Sequence, residues 1–159
     1  MNNVNKICKL MIDEVALSTN LTYSKGSDSI IGFEDMGSLG RTKNLANHAL
    51  VSMIQGIYSG GKQPVAYFFT KDTVKSTQLK DLIIEIINKL ETAGLNVACT
   101  VCDQGATNLK ALNILKSLSG TDEKLPYFIL NQKKIIFFYD SPHLLKSTRN
   151  ALSKYTILY

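Results

Sequence analysis

A change of apolar period in the second half of the chain constrains the fold most. Over 77–92, Leu79, Leu82, Ile83, Ile86, Ile87 and Leu90 recur at i, i+3, i+4 and i+7, the spacing that lines one face of an α-helix. Residues 95–102, Leu-Asn-Val-Ala-Cys-Thr-Val-Cys, then run nearly continuously apolar and read as a buried strand. The helical period returns near 107–119 with Leu109, Leu112, Leu115 and Leu118. After a loop expected at 120–132, the run 134–139 is again strand-like. A helix between two such strands supplies the crossover that parallel pairing requires. Ser76 or Thr77 can cap the first helix and Gly94 suits its end, while Ser141 and Pro142 open a third helix as N-cap and first helical residue.

The first half reads differently. Residues 6–17 form an apolar run of strand length, and a strand pair is expected at 21–34 around a polar turn at 24–29. Residues 35–47, rich in Gly, Asn, Lys and Ser, read as a loop. A further strand is expected at 49–58, broken by Gly60 and Gly61, and 64–70 is either a strand or a packed connection. Strands first and helix-strand alternation afterwards indicate an α/β domain with a mixed sheet and helices on both faces. A chain of 159 residues with 45% hydrophobic and 19% charged residues supports one folded domain.

Composition excludes little beyond that. No apolar run approaches the roughly 18–20 residues of a membrane span, so no membrane partner is expected. The opening Met1-Asn2-Asn3-Val4 lacks the charged and apolar regions of a secretory signal. The net charge of +5 suits a nucleic-acid partner, although many ordinary proteins share it. Three cysteines, an odd number, argue for a reducing compartment. Cys99 and Cys102 have Cys-x-x-Cys spacing but sit inside a strand, and only His48 and His143 could add imidazole ligands. Their expected role is core packing.

Three apolar strands each run into an aspartate: Asp13, Asp103 and Asp140. In open α/β sheets the working site lies outside the carboxyl ends of strands. A carboxylate there is costly to bury unless a partner such as a divalent cation accompanies it, or it merely ends the strand and caps the next turn. Gly105 permits a tight strand-to-helix turn, and Thr107 or Asn108 can cap the helix that follows. Glu14 neighbours Asp13 on a strand, so its side chain is expected on the opposite face. The segment Gly37-Ser38-Leu39-Gly40-Arg41-Thr42 lacks the Lys-Ser/Thr ending of a phosphate loop and is set aside.

The blocks Leu10-Met11-Ile12-Asp13-Glu14, Cys102-Asp103-Gln104-Gly105-Ala106-Thr107-Asn108 and Asp140-Ser141-Pro142-His143-Leu144-Leu145-Lys146 resemble, in this order, the core of P-element-type DNA transposases. These include proteins with an amino-terminal THAP zinc finger. Lys62-Gln63-Pro64-Val65-Ala66-Tyr67-Phe68 and Ser147-Thr148-Arg149-Asn150-Ala151-Leu152 also look like that family, so the resemblance spans about 6–152. It implies a ribonuclease H-like fold, incomplete on its carboxyl-terminal side, and metal-dependent cleavage and transfer of DNA strands. Carried over by motif, Asp13 and Asp103 match the first two acids of a DDE set, as ligands of Mg²⁺ or Mn²⁺. Two such ions about 3.5–4 Å apart would serve an in-line displacement.

The resemblance places the third acid, a glutamate, beyond an inserted GTP-binding domain. Tyr159 falls about where that insertion would begin, so GTP is expected only in the full-length family, and this fragment alone is expected to be inactive or very weak. Asp140, His143, Lys146 and Arg149 are candidates for DNA contact or support of the site. The resemblance further implies a nuclear location and a homo-oligomer in the full-length protein. A non-catalytic, transposon-derived remnant that binds nucleic acid or a protein is the alternative.

Overall fold

The computed structural model describes residues 6–26 and 28–154. Its centre is an eight-stranded mixed sheet. The strands are β1 (Ile7–Ala16), β4 (Phe33–Asp35), β5 (Arg41–Leu45), β6 (His48–Gly56), β7 (Lys62–Thr70), β8 (Asn96–Cys102), β9 (Tyr127–Leu130) and β10 (Lys133–Tyr139). Their order is β5-β4-β7-β6-β1-β8-β10-β9. β1 pairs antiparallel with β6 but parallel with β8, and β8 is parallel to β10. A separate two-stranded ribbon, β2 (Thr22–Ser24) with β3 (Ser29–Ile31), stands apart from the sheet. The turn expected at 24–29 includes Ser27, which lies outside the described residues.

The helices α1 (Ser76–Thr92), α2 (Ala106–Leu118) and α3 (Ser141–Lys154) fall where the apolar period changes. Leu79, Leu82, Ile83, Ile86, Ile87 and Leu90 of α1 are all buried. They pack with Ala111, Leu112 and Leu115 of α2 against Cys8, Leu10 and Ile12 of β1 and Ile135 and Phe137 of β10. One sheet face is therefore the core. The helix α1 ends as expected: Gly94 adopts φ 84°, Leu95 N–H donates to Leu90 C=O at 3.0 Å, and Gly94 N–H donates to Glu91 C=O at 2.9 Å. These two bonds satisfy terminal carbonyls that the helix itself leaves unpaired.

The opposite face is dressed thinly. Its first cover is the start of α3, where His143 lies beside Met11, Asp13 and Val101. No residue of α3 is buried, and Phe138 of β10 stays 53% exposed.

Several boundaries differ from the sequence reading. The region 35–47 is not a loop throughout: it holds the end of β4, a 3-10 turn at Gly37–Leu39 and the edge strand β5. The region 120–132 likewise contains β9, which pairs antiparallel with β10. Residues 64–70 belong to a true strand, β7, whose Pro64 sits at a register shift against β6, where a missing N–H disturbs the ladder least. The helix α1 starts from Lys75, not Ser76 or Thr77, because the Lys75 carbonyl accepts the first helical bond from Leu79 at 2.9 Å. Asp140 plays the same part for α3 through its bond from Leu144 at 3.0 Å, which moves Ser141 and Pro142 one place into the helix.

Candidate functional site

The register of the parallel strands determines what the site contains. Met11 pairs with Val101, and Val101 with Phe138, across β1, β8 and β10. Two residues further along stand Asp13, still inside β1, and Asp103 and Asp140, each one residue past the end of its strand; by the alternation of the strands they continue one row on one face. Asp140 N–H donates to Cys102 C=O at 2.9 Å and so continues the ladder into this row. All three line one small cavity together with His143. Asp13 and Asp103 also line a larger cleft of about 350 Å³, with Glu14, Val74, Leu79 and Asn108 among its walls.

Each of the two central aspartates is held by one oxygen. Glu14 N–H donates to Asp13 Oδ1 at 2.8 Å. Gly105 N–H donates to Asp103 Oδ1 at 2.8 Å, and the Asn108 amide donates to the same atom. Among the described residues no lysine or arginine forms an ion pair with either carboxylate. Asp140 is 3.9 Å from His143 Nε2, with both side chains nearly half exposed.

Two local readings of the sequence need correcting, and a third holds with an addition. Gly105 does not use glycine's conformational freedom, since its φ of −56° and ψ of 143° are open to any residue. Neither Thr107 nor Asn108 caps α2: Gly105 is the N-cap position, no side chain bonds there, and Asn108 turns to Asp103 instead. Glu14 leaves on the helix-bearing face, opposite Leu50 in register, yet it lines the same cleft as Asp13 and Asp103. The cleft lies over the end of the sheet, where alternating faces no longer separate neighbours. Burial pushes the Glu14 carboxyl above the usual glutamate range; a backbone bond from Val74 and the nearby His48 oppose this, and the charges of Asp103 and Asp13 add to it. Its adjacency to Asp13 was the only signal for it in the sequence.

The remaining candidates stay apart from this row. Lys146 and Arg149 are exposed along α3, which carries no acidic residue. Cys102 belongs to the core cluster, whereas Cys99, three residues earlier on the same strand, is buried on the other face. The pair cannot share a ligand. Burial pushes the Cys102 thiol up to about 12, which suits packing, not redox chemistry.

A mixed sheet with β1 at its centre and acids just beyond where its parallel pairing stops defines a ribonuclease H-like domain. Residues 1–116 match the family described as TNP-like, RNase H N-terminal domain. The human DNA transposase THAP9 is 31% identical over 157 residues, which cover 93% of this chain and 17% of that protein. The Transposable element P transposase of Drosophila melanogaster is 26% identical over 154 residues, covering 94% of this chain and 18% of that one. The solved Drosophila P element transposase strand transfer complex aligns with a TM-score of 0.71 at 25% identity, over 95% of this chain and 30% of that chain. The chain belongs to the TNP-like RNase H N-terminal domain family, of the P-element transposase type. It spans under a fifth of the length of the two curated relatives.

Proposed function

We propose that the chain forms part of the catalytic core of a P-element-like DNA transposase, with Asp13 and Asp103 as ligands of Mg²⁺ or Mn²⁺. The observation that carries the reading is the row itself: two carboxylates, on adjacent parallel strands, line one cleft without a cationic side chain to neutralise them. Carboxylate oxygens are the donor type such an ion takes, and here two residues would supply them. Among the described residues no group of three or more His, Cys, Asp or Glu is arranged as a metal cage. Two carboxylates with room for water and phosphate oxygens match magnesium's preference for few protein ligands. When bound, the ion would supply activation of the attacking oxygen and stabilisation of the leaving one. Asp13 and Asp103 would fix its position, and the third acid of the DDE set would come from elsewhere in the full-length protein.

The exposed cations of α3 support DNA as the partner, since neutralising phosphates releases counterions. The solved relative, captured in a strand transfer complex, supports the same substrate class. On this reading the protein acts in the nucleus and as a homo-oligomer in its full-length form. A second reading, a transposon-derived remnant that only binds nucleic acid or protein, draws on α3, a helix with no buried residue and Leu145 72% exposed.

A divalent-ion titration separates the two. Mn²⁺ is expected to raise the thermal midpoint of the chain, and Asp13→Ala or Asp103→Ala to abolish that response. A response unchanged in both variants, or absent from the parent chain, would end the metal-site reading and leave the binding remnant.

A further inference from the structure

We infer that Gly105 and Asn108 are positioning residues for Asp103: together they form a socket that clamps Oδ1 and keeps Oδ2 for the cation. The inference rests on Asp103 being a metal ligand. Three observations carry it. Both hydrogen bonds to the carboxylate land on one oxygen, from Gly105 N–H at 2.8 Å and from the Asn108 amide. The backbone at Gly105 requires no glycine, with φ −56° and ψ 143°. A Cβ at that position would nevertheless sit 2.9 Å from Asp103 Oδ1 and 3.7 Å from Asn108 Nδ2.

Glycine is thus needed for the space it leaves, not for the turn it makes. The atom that a methyl group would displace is the end of a side chain, so the carboxylate would swing while the backbone stayed in place. Asn108 stands in the first turn of α2 and reaches back across the strand-to-helix junction, which ties the aspartate's orientation to a rigid element. An aspartate held only to end its strand would need the Gly105 bond alone. The second donor on the same oxygen removes the remaining rotational freedom. A ligand fixed in advance does not lose that freedom when the ion arrives, and groups of this kind typically change metal affinity by about 10–100-fold.

The test uses the 159-residue chain with Mn²⁺ as probe, followed by water-proton relaxation, beside the metal-free chain's Asp103 Hα–Hβ couplings. Gly105→Ala and Asn108→Ala are each expected to weaken Mn²⁺ binding by about tenfold. Their metal-free thermal midpoints should stay near that of the parent, and the Asp103 couplings should move from one rotamer toward an average. Should Gly105→Ala fail to fold, Asn108→Ala carries the same readouts. Parent-like affinity and couplings in the variants, with binding still lost in Asp103→Asn, would overturn the socket and leave the metal site standing. Absence of Asp103-dependent binding in the parent chain would overturn both.

Discussion

Single residues decide two features that periodicity could not reveal. The β9–β10 hairpin turns on Asn131 and Gln132, with φ values of 50° and 62°. Both central residues are left-handed, as a two-residue hairpin turn of matching twist demands. Asn tolerates that region, but Gln has no special means to do so. Replacing Gln132 by Gly is therefore expected to stabilise the fold by about 0.5–1 kcal/mol, or roughly 1–4 °C in thermal midpoint. An unchanged or lowered midpoint would show that the turn carries no strain. The same residue explains why β9 escaped the sequence reading, since the strongest hairpin signal is Asn-Gly and this chain has Asn-Gln. Asp13 and Asp103 were legible because apolar runs end on them, and Asp140 for the same reason. The part played by Asn108 was not. Its side chain bonds back across five residues to Asp103, a contact with no period to announce it.

Between elements, the edge strands were hidden and the buried ones plain. All five residues of β5 are exposed, so Arg41–Leu45 lacks the apolar alternation that marks a half-buried strand. β8 and β10, inner strands of the sheet, announced themselves by continuous apolar runs, although Ile136 and Phe138 of β10 stay exposed. Phe128 anchors the far edge in the core, and polar bonds add a second hold. Glu91, in the last turn of α1, takes Lys133 Nζ on Oε1 and Asn131 Nδ2 on Oε2, each at 2.8 Å. Asn131 also donates to Asn88 Oδ1 at 2.8 Å, so the hairpin turn is fastened to the helix at several points. The Lys133 bond, with help from Asn131, holds the Glu91 carboxyl below the ordinary glutamate range despite partial burial. A depressed folded value contributes stability that is present above the unfolded value and is lost as pH falls through the folded one. Glu91→Gln is expected to cost about 1 kcal/mol at neutral pH, less any screening at the half-exposed Lys133. Urea midpoints measured from neutral to acid pH should show parent and variant converge at the acid end. A gap that persists there would mean that shape, not charge, is what Glu91 supplies.

For the molecule as a whole, the site lies where the fold has least to spare. One sheet face is packed by α1 and α2, the other is covered more thinly by the described residues, and the acids gather at the rim between them. Asp13, Glu14 and Asp103 share a cleft in which the charges of the two aspartates act against that of Glu14, an arrangement that costs the folded state. Glu14 gives this cost a measurable form. Burial first, and then the charges of Asp103 and Asp13, hold its carboxyl above the ordinary range, against the pull of Val74 and His48. The folded state therefore keeps a proton that the unfolded chain releases earlier. Stability falls as pH rises from the unfolded glutamate value through the raised folded value, and is level above it. Glu14→Gln lacks this slope. Its thermal midpoint is expected to match the parent at the acid end and to exceed it at neutral pH by ~2 °C. Saturating Mn²⁺ should narrow that gap, because a cation beside Asp13 and Asp103 offsets the repulsion that Glu14 otherwise meets. A variant less stable than the parent at neutral pH would show instead that the bond from Val74 outweighs the charge, and that the cleft stores no such cost.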